Sequence, residues 1–162
     1  MSAVVLLVED DPAIRALCRV TFERAQSGAL EGVRCIQAAD LAGARALIRS
    51  DAPDLVVMDV RLPDGNGLDL IRELRASDDA GPTKVIIASA SVLPAERDMA
   101  LAAGADRFLA KPYRPADLVS AVGLMRRLGL IEHRRRIDIV TLRCRHEFCR
   151  PQKYRSTLLK AP

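Results

Sequence analysis

Short runs of continuous aliphatic residues alternate along the chain with segments whose apolar residues recur every three or four positions. The first run, Val4 to Val8, has strand length, and Asp11-Pro12 after it supplies a cap residue and a first-turn proline to open a helix. In that helix Ile14, Leu17, Cys18, Phe22 and Ala25 keep one face apolar, and the pattern stops before Gly28. A weaker strand, Val33 to Gln37, precedes a helix capped by Asp40 with Leu41, Ala44, Leu47 and Ile48 on one side. Asp51-Ala-Pro-Asp54 closes it ahead of the most apolar strand, Leu55 to Met58. A Pro/Gly-rich loop, Leu62 to Gly67, leads to a helix over Leu68 to Arg75 and a fourth strand over Val85 to Ala88. Pro94 to Ala103 is helical with Gly104 as its stop, Ala105 to Ala110 is a fifth strand, and Pro115 to Leu128 is a fifth helix before Gly129.

Five successive strand–helix units predict a doubly wound α/β domain, because near-continuous aliphatic strands need helices on both faces of a parallel sheet. Ligands of such open sheets bind beyond the carboxyl ends of the strands. The residues at those ends are Glu9 and Asp10, Asp59, Ser89 and Lys111. Three carboxylates at one sheet edge repel unless they share protons or hold a hard cation through oxygen, so Glu9, Asp10 and Asp59 point to Mg²⁺. Lys111 adds an ammonium and Ser89 a hydroxyl, a set that suits an oxygen-rich anion such as a phosphoryl group. An aspartate can take that group as a nucleophile and form an acyl phosphate, and Asp59 is best placed because it ends the central strand. Taken singly, Ser89 is an ordinary turn hydroxyl and Lys111 an exposed lysine. Asp11 reads as an N-cap.

Composition narrows the class. A chain of 162 residues, 49% hydrophobic and 28% charged, is long enough for one domain with a short appendage. Two Tyr and three Phe leave the core aliphatic and exclude a nucleic-acid surface built on rows of stacking rings. The N-terminal apolar run is cut at once by Glu9, Asp10 and Asp11, and no run approaches eighteen apolar residues, so a cytoplasmic protein without a membrane span is expected. Residues 1–130 carry 16 basic against 18 acidic side chains, whereas residues 131–162 carry 9 against 3. The basic balance therefore belongs to the tail, read as an appendage too short for an output domain with its own core. Cys18 and Cys35 sit in apolar segments and read as reduced, buried thiols. His133, Cys144, His146 and Cys149 lack a standard zinc spacing and read as free thiols and solvated imidazoles.

The segments VLLVEDDP, VVMDVRLPDGNG, IIASA and FLAKPY, in this order, resemble the receiver domain of two-component response regulators over residues 1 to about 130. Their joint spacing, 30 positions from Asp59 to Ser89 and 22 from Ser89 to Lys111, makes the resemblance specific. It implies a flavodoxin-like sheet of order 2-1-3-4-5. It also implies that Asp59 accepts a phosphoryl group from a sensor histidine kinase or a histidine phosphotransfer protein. Asp10 and Asp59 would bind Mg²⁺ directly, Glu9 would orient its waters, and the main-chain carbonyl of Arg61 would be a further ligand. Ser89 and Lys111 would bind the phosphoryl group, and Phe108 matches the family's aromatic switch position, though such a ring reads equally as core. Arg61 and Ser91 match positions that tune the lifetime of the acyl phosphate, and Lys111-Pro112 matches a cis peptide. The face over residues 94–128 resembles the surface receivers use for homodimers. The interval of 49 from Asp10 to Asp59 is a few residues long for the family and predicts extra loop near Ser27 to Gly32.

The predicted function is a receiver that signals to a protein target by conformational change, catalysing only its own phosphorylation and dephosphorylation; a nucleic-acid partner is not expected. The alternative is a receiver-headed regulator that binds nucleic acid through its basic tail. A phosphohydrolase of the haloacid dehalogenase type also uses an aspartyl nucleophile, but needs a second Asp where this chain has Arg61. No G-x-x-x-x-G-K-[ST] occurs, which removes a P-loop enzyme.

Overall fold

The computed structural model describes residues 3–28, 30–77, 83–90 and 93–131. Five parallel strands form the sheet: β1 (Ala3–Val8), β2 (Val33–Ala38), β3 (Leu55–Asp59), β4 (Lys84–Ser89) and β5 (Arg107–Ala110). Their spatial order is β2-β1-β3-β4-β5, the order expected, with β3 in the centre. The helices are α1 (Pro12–Arg24), α2 (Leu41–Asp51), α3 (Gly67–Ala76), α4 (Pro94–Ala102) and α5 (Pro115–Arg127).

Side chains alternate across a strand, so each buried strand feeds two cores. Val5, Leu7, Leu55, Val57 and Ile86 meet Cys18 and Phe22 of α1 and Leu118, Val122 and Met125 of α5. Leu6, Val8, Val56, Met58, Val85 and Ile87 face Leu41 and Ala44 of α2, Leu70, Ile71 and Leu74 of α3 and Ala100 of α4. Burial on both faces is what makes β1, β3 and β4 read as unbroken aliphatic runs, and it fixes their carboxyl ends as rigid mounts.

The expected caps are present. Asp11 accepts from the Ala13 and Ile14 N–H groups at 2.7 and 3.1 Å, and Asp40 from Gly43 at 2.7 Å. The extra residues after α1 form a 3₁₀ turn, Ala25–Ser27, and send Leu30 into the α1/α5 core. Ile131 is also buried there. The tail from 132 to 162, with the zinc candidates His133, Cys144, His146 and Cys149, lies outside the described residues.

The Pro/Gly segment after β3 is more ordered than a loop. Arg61–Leu62 pairs antiparallel with Gly65–Asn66, and the Asn66 side chain caps α3 by accepting from the Leu68 N–H at 2.9 Å. Gly67 begins α3, its N–H donating to the Val60 carbonyl at 2.7 Å. A Cβ there would overlap the Asp59 carbonyl oxygen, so only glycine lets α3 start this close to the end of β3.

Candidate functional site

The site forms where the strand ends converge. Beyond β1, Glu9 keeps the ladder going by donating its N–H to the Ala38 carbonyl at 3.1 Å, which fixes its backbone, and the residue is 2% exposed. Asp10, one residue on, is exposed. Asp59 closes β3 in register with Ala88 and is half-buried. Ser89 closes β4, buried at 3% exposure, and its carbonyl accepts the Lys111 N–H at 2.7 Å. That bond seats Lys111 beside the pocket at the end of β5, and the Lys111–Pro112 peptide is cis.

Glu9, Asp10 and Asp59 each offer an oxygen, and these atoms all lie within 4.8 Å of one another. The Lys111 Nζ donates to Glu9 Oε2 at 2.7 Å and to Asp59 Oδ2 at 2.6 Å. The other Asp59 oxygen, Oδ1, accepts the Arg61 main-chain N–H at 3.1 Å. Burial works against the ammonium of Lys111, but the hydrogen bonds to Asp59 and Glu9 outweigh it and hold its pKa above the ordinary lysine value. One ammonium thus contacts two of the three carboxylates in the cluster. The pocket remains anionic and offers only oxygen to a cation, the donor set a hard divalent ion requires.

The structure therefore brings Glu9, Asp10, Asp59, Ser89 and Lys111 to one edge, with Arg61 beside Asp59. Phe108 lies on β5, half-buried against the core beneath α2, α3 and α4. Ser91 lies outside the described residues. Cys18 and Cys35 are free, and burial pushes both thiols up, Cys35 to about 12, which makes them poor nucleophiles.

Three contacts at the site have no counterpart in the sequence reading. Arg15 Nη1 donates to the main-chain carbonyls of Glu9 and Asp10 at 2.5 and 2.7 Å. Gln37 Nε2, on β2, donates to the carbonyl of Arg15 at 2.9 Å. Asp64 accepts from the Leu41 and Ala42 N–H groups at 2.8 and 2.9 Å, tying the segment after β3 to the first turn of α2. Those backbone bonds, the Leu41 one foremost, hold its carboxyl below the usual carboxylate range. The signal for Arg15 was its place four residues after the cap Asp11, on the face of α1 that looks back over the strand end.

Replacing Lys111 by Met leaves Glu9 and Asp59 without their counter-charge, and removal of one partner from a buried ion pair costs about 3–5 kcal/mol. The contribution of a group whose folded pKa is raised is fully present below its unfolded pKa, 10.5 here, and fades as pH climbs through the folded value. Denaturant midpoints should therefore separate the parent from Lys111→Met at pH 7 and begin to converge only as the pH climbs past about 10.5. Equal midpoints at pH 7 would show that Lys111 is not the counter-charge.

Comparison with known proteins agrees with this geometry. The family model described as the response regulator receiver domain matches residues 5–123. The transcriptional regulatory protein TrcR of Mycobacterium tuberculosis is 36% identical over 131 residues, covering 79% of this chain and 47% of TrcR. The response regulator MprA of Mycobacterium ulcerans is 34% identical over 142 residues, covering 88% of this chain and 58% of MprA. The chain thus spans about half the length of these curated relatives. Among solved structures, the receiver domain of the Francisella response regulator 1452 matches with a TM-score of 0.69 and 27% identity, covering 79% of this chain and 99% of that one. Strand order, the acidic strand ends and these matches agree: the chain belongs to the response regulator receiver domain family, a family of signalling proteins.

Proposed function

We propose that the chain is a phosphorylation switch whose acceptor is Asp59. The observation that carries this reading is the double contact of Lys111 with Asp59 and Glu9 beside an all-oxygen acidic cluster. The donor is the phosphohistidine of a sensor histidine kinase or a histidine phosphotransfer protein. An Asp59 carboxylate oxygen forms a bond to phosphorus as the donor's P–N bond breaks, and the electron pair leaves on the imidazole nitrogen. Mg²⁺ would be held by Glu9, Asp10, Asp59 and the Arg61 main-chain carbonyl, and would supply charge neutralisation during the transfer. Lys111 then exchanges carboxylate partners for a phosphoryl oxygen, a charge-assisted bond of the same kind. Ser89 donates its hydroxyl to that group, and Phe108 follows it inward.

Output runs through a protein target. Leu93, Met99 and Leu101 expose apolar surface at and along α4, which supports the face over 94–128 as a homodimer surface. Arg61 and Ser91 control how water reaches the acyl phosphate, so the chain also catalyses its own dephosphorylation. Among the described residues no helix is long and apolar enough to cross a membrane.

With Mg²⁺ and a small phosphodonor the chain should gain one hydroxylamine-labile phosphoryl group, read by intact mass. Asp59→Asn should abolish it. Equal labelling of the Asn variant would remove Asp59 from the chemistry.

The word "transcriptional" in the name of TrcR favours a second reading, nucleic-acid binding through the basic tail. The chain cut after Ile131 should still label at Asp59, because every reacting group lies between Glu9 and Lys111. Salt-dependent DNA or RNA retention by the full chain and not by the cut chain would establish the second reading. No retention by either is the expected result.

A further inference from the structure

We infer that Arg15 is a positioning residue of the acidic pocket, holding the backbone of Glu9 and Asp10 so that their carboxylates converge with Asp59. The sheet ladder ends at the Glu9 N–H, so nothing in the ladder fixes the Glu9 and Asp10 carbonyls. One guanidinium nitrogen of Arg15 takes both, at 2.5 and 2.7 Å. Two adjacent carbonyls drawn to one donor set the direction in which the chain leaves β1, and with it where the Asp10 side chain points.

Arg15 is itself held at both ends of its peptide unit. Its N–H donates to the Asp11 carbonyl at 3.0 Å within the first turn of α1. Gln37 anchors its carbonyl from β2 at 2.9 Å, and its side chain is half-buried. The path from β2 through Gln37 and Arg15 to the Glu9–Asp10 main chain therefore braces the pocket from the side opposite Lys111, which reaches it from β5. Arg15 touches neither the phosphoacceptor nor any carboxylate oxygen of the cluster in the hydrogen bonds it makes here, so its action is through the backbone.

Charge and position predict opposite signs, and that makes the inference testable. A guanidinium near a cation site repels the cation, so if Arg15 acted by charge alone its removal would tighten metal binding. If it positions the carboxylates, its removal weakens binding, on the scale of about tenfold seen when groups that orient metal ligands are lost. This inference rests on the Mg²⁺ reading above, so the experiment carries a control for that reading. Mn²⁺ is titrated by electron paramagnetic resonance, with Mg²⁺ as competitor, into the full chain and into Arg15→Gln, Gln37→Met and Asp10→Asn, alongside metal-free melting curves. Arg15→Gln should bind Mn²⁺ about tenfold more weakly, and Gln37→Met should lose affinity in the same direction but by less. Unchanged or tighter binding by Arg15→Gln overturns the inference, including the case in which its melting temperature falls, since that would be a purely structural role. If Arg15→Gln does not fold, Gln37→Met decides: weaker binding supports the inference and unchanged affinity overturns it. An Asp10→Asn variant that binds Mn²⁺ as the parent does would instead overturn the metal site itself.

Discussion

The structure turns on a single ammonium group shared by two carboxylates. Lys111 directly follows the short edge strand β5, yet its Nζ reaches Glu9 just past β1 and Asp59 at the end of β3. Without it, three acidic side chains would crowd one sheet edge, two of them buried or half-buried, at a desolvation cost that only an opposite charge offsets. The parallel order makes the contact available. Because β1, β3, β4 and β5 point the same way, residues more than fifty positions apart in sequence arrive at one edge. The hydrogen bond from the Lys111 N–H to the Ser89 carbonyl sets how far along that edge the lysine stands.

Rigidity is distributed unevenly around this contact. β1 and β3 are covered on both faces and flanked by paired strands on both sides, so the carboxylates stand on immobile mounts. Among the described residues β5 pairs only with β4, and Phe108 and Leu109 on it are half-buried. The cation therefore follows a strand with one paired neighbour, whereas Glu9 and Asp59 stand at the ends of strands paired on both sides. Arg15 and Asp64 brace the remaining boundary, one tying β1 to α1 and β2, the other tying the segment after β3 to α2.

Much of this was legible in the sequence because it rests on local pattern. Double-faced burial writes itself as unbroken aliphatic runs, so Leu55 to Met58 announced a central strand, and Asp11 and Asp40 announced helix starts. The strand-end rule then gathered Glu9, Asp10, Asp59, Ser89 and Lys111. What escaped depends on partners distant in sequence or on backbone acceptors. Arg15 stands four residues after the cap Asp11, but its two carbonyl partners show only once α1 is placed over the strand end, and Asp64 looks like a turn residue until α2 is placed beside it. The antiparallel pairing of Arg61–Leu62 with Gly65–Asn66 is too short for any period to betray it. Ile131 reads as the first residue of a basic tail, and only the packing of α1 against α5 shows that it closes the core.

On the proposed reading, the pocket carries more negative charge than Lys111 balances, and a divalent cation fills the deficit. Melting temperature measured against Mg²⁺ concentration at pH 7 tests it most directly. A ligand bound only by the folded state at a hundred times its Kd stabilises by about 2.7 kcal/mol, so a saturable rise with one-site form is predicted. Asp10→Asn should melt higher than the parent without metal, because one repulsion is gone, and should gain less from Mg²⁺. A parent chain that Mg²⁺ leaves unchanged, or an Asp10→Asn variant that gains as much as the parent, would contradict the account.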